Sequence, residues 1–237
     1  MENSENKSLI STGSSNLAKT EKLLSITQKI LSEIKPQYES VRIGNQEWMT
    51  RNLDVERFRN GDLIPYIESD EEWEKAIENC HPAWCYYDND PKNGKKYGKL
   101  YNWHAVNDPR GLAPKGWHIP SDYEWDSQSE FLGDDEVFKL KAAEGWIELA
   151  NENNEDQNGN GDNSTGFNAL PGGYRRVDGS FLNVKYGAFF WSNTRIESNL
   201  ACDSDTYDDD CNVVLGRIYT YCHDKSVGAS VRCLRDD

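Results

Sequence analysis

Residues 17–35, LAKTEKLLSITQKILSEIK, place Leu17, Leu24 and Leu31 seven apart, with Leu23, Ile30 and Ile34 beside them. That spacing gives one apolar face on a helix, and Pro36 ends it. Residues 1–14 before it are polar and patternless, and a disordered tail is expected there. From Val41 the apolar period shortens to two. VRIGNQEWMTRNL reads as a strand, a tight turn at Gly44-Asn45 and a second strand. Two segments, SDEEW at 69–73 and SDYEW at 121–125, set a serine three residues ahead of a glutamate. Each is a capping box, so each predicts a short helix. The first is expected to run to about Asn79, the second to about Leu132 with a stop at Gly133. Near the end, residues 217–221 (RIYTY) and 229–234 (ASVRCL) alternate in polarity and read as strands. Nothing repeats at a fixed interval, which excludes solenoids and propellers.

Composition narrows the class. The 237 residues carry a formal net charge of −15, with a sequence pI of about 4.7. So acidic a chain is repelled by phosphate backbones, which excludes nucleic acid as an expected partner and leaves cations, glycans and proteins. Eight Trp, 12 Tyr and 18 Gly against two Met favour an irregular, loop-rich α+β domain over a helical bundle. No apolar run approaches the ~20 residues of a membrane span. Residues 1–15 lack a basic and apolar leader, which leaves open synthesis in the cytosol, with export by another route, and a leader lost from this sequence. Six cysteines, at 80, 85, 202, 211, 222 and 233, would suit an oxidising compartment but allow fifteen pairings. Cys202 and Cys211 bracket the polar loop DSDTYDDD and form the first expected pair.

Catalytic motifs are missing. The sequence contains no G-x-S-x-G elbow, no H-E-x-x-H helix, no C-x-x-C and no Rossmann glycine pattern, and NGKKYG fails the P-loop spacing. His118, in GWHIPSDYEW, stands just ahead of a helix cap, where an imidazole bonded to a backbone carbonyl is expected. The adjacent pairs Cys80-His81 and Cys222-His223 would face opposite sides of a strand, which disfavours zinc. The best ion candidate is Asp156, Asn158, Asn160 and Asp162, with Gly161 at the turn. Oxygens at alternate positions match the front half of a calcium loop, although Phe167 stands where the bidentate glutamate belongs. The simpler reading, a flexible solvated loop, is the favoured one. The acidic run Asp203, Asp205, Asp208, Asp209 and Asp210 is a weaker second candidate. Aromatic residues crowd 84–103 and 174–191, and most are expected in the core.

Long stretches of the chain resemble a known family. IGNQEWMTRNLDVERFRNGD, PAWCYYDNDPKNGKKYGKLYNWHAVNDPRGLAPKGWHIPSDYEW, STGFNALPGGYRRVDGSF, FFWSNT and SVRCLRD look like the Fibrobacter succinogenes major paralogous domain over about 41–236. That family is similar in layout to the C-type-lectin-like fold shared with formylglycine-generating enzymes. The resemblance implies an α+β domain of two short helices and small twisted antiparallel sheets. In it, GFNALPGGYR and FFWSNT are core strands, and SVRCLRD is a closing strand that returns towards the N-terminus. It also implies a cell-surface or extracellular setting without a general activity. The oxidase relatives bind copper through two late cysteines with four residues between them. Here Cys222 and Cys233 have ten between them and Cys202 and Cys211 have eight, so the pair is not reproduced and oxidase chemistry is not expected. The chain departs from the family by its leucine-striped helix, by the acidic 202–211 insertion and by lacking a lipoprotein leader.

Two regions are therefore expected: residues 1–38, a tail and an attachment or oligomerisation helix, and residues 39–237, the family domain. The leading expectation is a non-enzymatic recognition module that presents loops 151–166 and 195–212 to a glycan or a cell-surface protein. Arg195, Asp203, Asp205, Tyr207 and Asp208 would be the contacting residues, with calcium as the one candidate cofactor. Residues 15–35 would serve self-association or docking. The alternatives are a structural component of a phage-tail-like or contractile injection particle and, more remotely, an oxidase.

Overall fold

The computed structural model describes residues 20, 22–24, 38–148, 157–194, 218–219 and 225–236. By its contacts the chain divides into Met1–Tyr38 and Glu39–Asp237. In the first unit residues 20 and 22–24 are helical, and Leu23 and Leu24 are exposed.

The second unit holds five helices among its described residues. Helix α1 (Asp70–Glu78) starts where the first capping box predicts, with the Ser69 hydroxyl accepting the Glu72 N–H, and ends at Asn79. Helix α2 (Pro91–Tyr97) has Asp90 as its cap and proline in its first turn. Helix α3 (Trp103–Val106) is a single turn capped by Asn102. Helix α4 (Asp122–Leu132) closes both halves of the box between Ser121 and Glu124, and Gly133 ends it at φ 69°. Helix α5 (Glu136–Leu140) follows after one 3-10 turn. The expected pair thus sits where foreseen, but three short helices join it. They are too brief to show an apolar period, and only Asp-Pro at 90–91 announces one of them.

Thirteen short strands accompany them among the described residues. They are β1 (Ser40–Ile43), β2 (Gln46–Met49), β3 (Trp84–Cys85), β4 (Leu100–Asn102), β5 (Trp117–His118), β6 (Ile147–Glu148) and β7 (Gln157–Asn158). Then follow β8 (Gly172–Arg175), β9 (Phe181–Val184), β10 (Ala188–Phe189), β11 (Ile218–Tyr219), β12 (Gly228–Ser230) and β13 (Leu234–Arg235). Strands β1-β2-β13-β5 form an antiparallel sheet. Strands β11-β10-β8-β12-β4-β3, with β9 paired to β8, form a larger one, antiparallel except for the pairs of β10. Strands β6 and β7 stand as a separate ribbon.

The single strand expected over 229–234 is instead two strands in two sheets. Ser230 pairs with Leu100 in the large sheet, while Leu234 pairs with Trp48 in the small one. Between them the Val231 and Cys233 carbonyls accept the N–H groups of Leu53 and Met49, so the crossing leaves these groups satisfied. The closing segment does return to the N-terminal hairpin, as the family resemblance implies. Both ends of the unit consequently meet in one sheet.

The core lies in two clusters. One gathers Trp48, Trp125, Trp146, Phe167 and Phe190 under α4; the other gathers Trp73, Tyr87, Cys85 and Leu100 under α1. Charged and amide side chains from the recognisable motifs are buried between them. Arg232 is 1% exposed. It donates to Asn52 Oδ1 and to the carbonyls of Met49 and Phe167, and it stacks 4.3 Å from the Phe167 ring. Burial pushes its pKa down to about 9, against a weaker opposing effect of the Cys233 thiol. Arg175, equally buried, bonds the carbonyls of Ile67, Glu68 and Gly179 and the Asp70 carboxylate at 2.8 Å. Asn102 accepts from the N–H of Ala83 and Ala105 and donates to the His81 carbonyl. These residues hold loops to sheets. Their planar forks satisfy backbone groups that no ladder reaches.

Candidate functional site

Most of the buried polar groups are thus engaged in holding backbone, so the surface is where a ligand can act. An open groove of about 470 Å³ runs between the segment 63–67 and helix α1. Leu63, Pro65, Ile67, Ala76 and Pro82 supply its apolar lining, and Glu72, Lys75, Asn79, His81 and Arg110 its polar lining. Alternation builds one wall. Leu63, Pro65 and Ile67 line the groove, while Ile64 is buried and Tyr66 stacks on Trp84 at 4.5 Å. Leu63 is 61% exposed, which is costly in water and suits an apolar contact.

Some of these polar groups have fixed partners. The Arg110 guanidinium lies 4.1 Å over the Phe58 ring and bonds Asp108 twice at 2.8 Å and Asp62 at 3.2 Å. Lys75 pairs with Glu71 across one turn of α1 at 2.6 Å. His81 is placed by Asn102, which bonds its carbonyl at 2.8 Å. Near it, burial lowers the His104 pKa below the usual imidazole range. The Ile77 carbonyl opposes this, and the charges of Lys225 and His81 add to it.

Behind Tyr66 sits an aromatic shelf. The Lys99 ammonium lies 4.4 Å over Trp84 and 5.2 Å over Tyr86, and it pairs with Asp54 and, at 3.6 Å, with Glu56. Tyr66 remains 39% exposed, and its hydroxyl donates to Glu68 at 2.6 Å. Burial first, then Glu68, push its pKa well up. The ring presents one face backed by Trp84 and a polar edge, which is the form of a stacking surface.

His118 corrects the expectation made for it. No backbone carbonyl holds it. Its Nδ1 lies 2.9 Å from Asp236 Oδ1 and its Nε2 2.8 Å from Glu124 Oε1. Burial disfavours the charged ring, but the two carboxylates outweigh it and the pKa is raised. Burial also disfavours charge on Glu124, yet the Ser121 N–H and hydroxyl and His118 together lower its pKa. In its protonated form the ring donates both N–H groups to these carboxylates and keeps no free lone pair. It clips the chain end to the start of α4. The partners come from positions 6 and 118 residues away. The nearer is the capping-box glutamate itself, so half of the clip was legible in SDYEW.

Asn158 ends β7, and Asn160 and Asp162 follow in the segment after it. Asn158 Oδ1 accepts the Asn160 N–H, Asn160 Oδ1 the Trp146 N–H, and Asp162 Oδ1 the Ser164 N–H. Asn158 and Asp162 thus cap local turns, Asn160 ties the segment to Trp146, and Gly161 packs against the Phe138 carbonyl. Asp156 lies outside the described residues, as do Arg195, Cys202, Asp203, Asp205, Tyr207, Asp208 and Cys211. Among the described residues no three His, Cys, Asp or Glu side chains converge as a metal site would require. Cys85 and Cys233 are free and buried, whereas Cys80 is disulfide-bonded. Sequence reasoning passed over Leu63, Pro65, Tyr66 and Arg110. The apolar run LIPYI was the available signal, but only the fold shows that its alternate side chains line a groove.

Comparison with the curated proteins and with the solved structures gave no match. The family model described as the Fibrobacter succinogenes major domain matches residues 41–235. That match spans every strand of the second unit except the first residue of β1, and the chain belongs to the Fibrobacter succinogenes major domain family.

Proposed function

We propose that the second unit is a non-catalytic recognition domain that holds its ligand in the groove between segment 63–67 and helix α1. The observation that carries this is an open concavity with an apolar lining and fixed polar groups, beside an exposed tyrosine shelf. Apolar surface supplies binding free energy, and the immobilised Arg110 supplies orientation at small entropic cost. A C-type-lectin-like layout forms part of this reading, supported by the pairing of β1, β2 and β13, which brings both ends of the domain together. Such a layout keeps one end closed and leaves loops free for display. The ligand class is an extracellular glycan or surface protein that offers an apolar face with hydrogen-bonding edges. A glycan and surface-protein array probed with the intact chain tests it. Binding should fall at least about tenfold on Leu63→Asp, given the apolar area lost. An array with no hits, or hits indifferent to Leu63→Asp and Arg110→Ala, would defeat the proposal.

A further inference from the structure

The segment from α4 to α5 carries a second surface, remote in sequence from the groove. Between residues 122 and 138 the exposed side chains are Tyr123, Asp126, Glu130, Phe131, Asp134, Asp135 and Phe138. Each is aromatic or acidic. Tyr123 is 77% exposed, Phe131 64% and Phe138 53%, and they are the most exposed aromatic residues among those described. The Phe131 ring rests on the β1–β2 turn, where a Cβ on Gly44 would come within 3.1 Å, so the ring is held outward. No basic residue interrupts residues 122–138. The partner that fits is apolar along one side and basic along its flanks.

The chain contains such a partner. Its 17–35 segment has the leucine stripe together with four lysines, Lys19, Lys22, Lys29 and Lys35, against two glutamates, Glu21 and Glu33. Within it Leu24, on the stripe, is 60% exposed. We infer that the 17–35 segment of one copy docks on the α4–α5 face of a second copy. Each copy offers one donor and one acceptor. The contact is therefore either reciprocal, giving a closed dimer, or head-to-tail, giving longer assemblies. The leucines cover Phe131 and Phe138, while the lysines face Asp126, Glu130, Asp134 and Asp135.

Light scattering on the intact chain over a concentration series tests this. The native protein should self-associate. Raising salt from about 0.05 to about 0.5 M should weaken association, because the screening length falls below the spacing of surface charges. Phe131→Asp with Phe138→Asp should abolish it, and so should Leu24→Asp with Leu31→Asp; far-ultraviolet circular dichroism checks that each still folds. The decisive arm is a charge exchange. Lys22→Glu/Lys29→Glu and Asp134→Lys/Asp135→Lys should each weaken self-association by roughly tenfold or more, and an equimolar mixture of the two should associate again. A monomer at every concentration overturns the inference. So does association indifferent to the Phe131 and Phe138 changes, or a mixture that fails to recover.

Discussion

Asn102→Ala tests the claim that the most recognisable motif residues are scaffold. Asn102 is fully buried in LYNWHAV and joins three pieces of backbone. Its Oδ1 accepts the Ala83 N–H at 2.9 Å and the Ala105 N–H at 3.0 Å; its Nδ2 donates to the His81 carbonyl at 2.8 Å. Alanine removes all three bonds and leaves two donors and one acceptor without this partner. A buried polar group left unpaired costs about 1–3 kcal/mol, and water entering the small void offsets part of that, so the expected loss is about 3 kcal/mol. With a urea dependence of about 2 kcal/mol/M, the midpoint should fall by roughly 1.5 M without a change of slope. Because Asn102 also sets the His81 position, ligand binding in the groove should weaken even where the protein remains folded. Equilibrium urea unfolding followed by tryptophan fluorescence is the assay. A midpoint within about 0.25 M of the parent, equivalent to about 0.5 kcal/mol, would refute the argument.

The His118 clip makes stability depend on pH with a defined sign. The folded pKa of His118 is raised, so its contribution is full below about 6.5 and is lost as pH rises through the folded value; that of Glu124 is lowered, so its contribution is present above about 4.5 and is lost as pH falls through the folded value. The difference in melting temperature between parent and His118→Gln should be largest between these limits, and a difference that is flat from pH 4 to 9 would contradict the clip. Burial pushes the Cys85 and Cys233 thiols up to about 12. Iodoacetamide at neutral pH should therefore leave both unlabelled in the native protein and label both once it unfolds, with Cys80 labelled only after reduction, as peptide mass mapping would show. Gly173→Ala should cost at least about 3 kcal/mol in the same urea assay, or prevent folding, because φ is +65° and a Cβ would stand 2.3 Å from the Leu182 carbonyl oxygen and 2.7 Å from the Tyr87 ring.

The sequence alone determined the features whose causes are local. The hairpin at Gly44-Asn45, the helix starts at Ser69 and Ser121 and the stop at Gly133 each follow from a few neighbouring residues, because turn and cap geometry is satisfied within one or two turns of chain. The long motifs also carried the family, since they encode many such local choices at once. Tertiary structure decided the rest. ASVRCL alternates like one strand, yet it crosses between two sheets because its partners, Leu100 and Trp48, lie far away along the chain. His118 looked like a residue held by a backbone carbonyl ahead of a helix cap, and only the fold brought Asp236 to its other nitrogen. The groove shows the same limit. Leu63, Ala76, Pro82 and Arg110 carry no mutual spacing that sequence could reveal, because a concave surface depends on which loops the buried arginines and asparagine draw together.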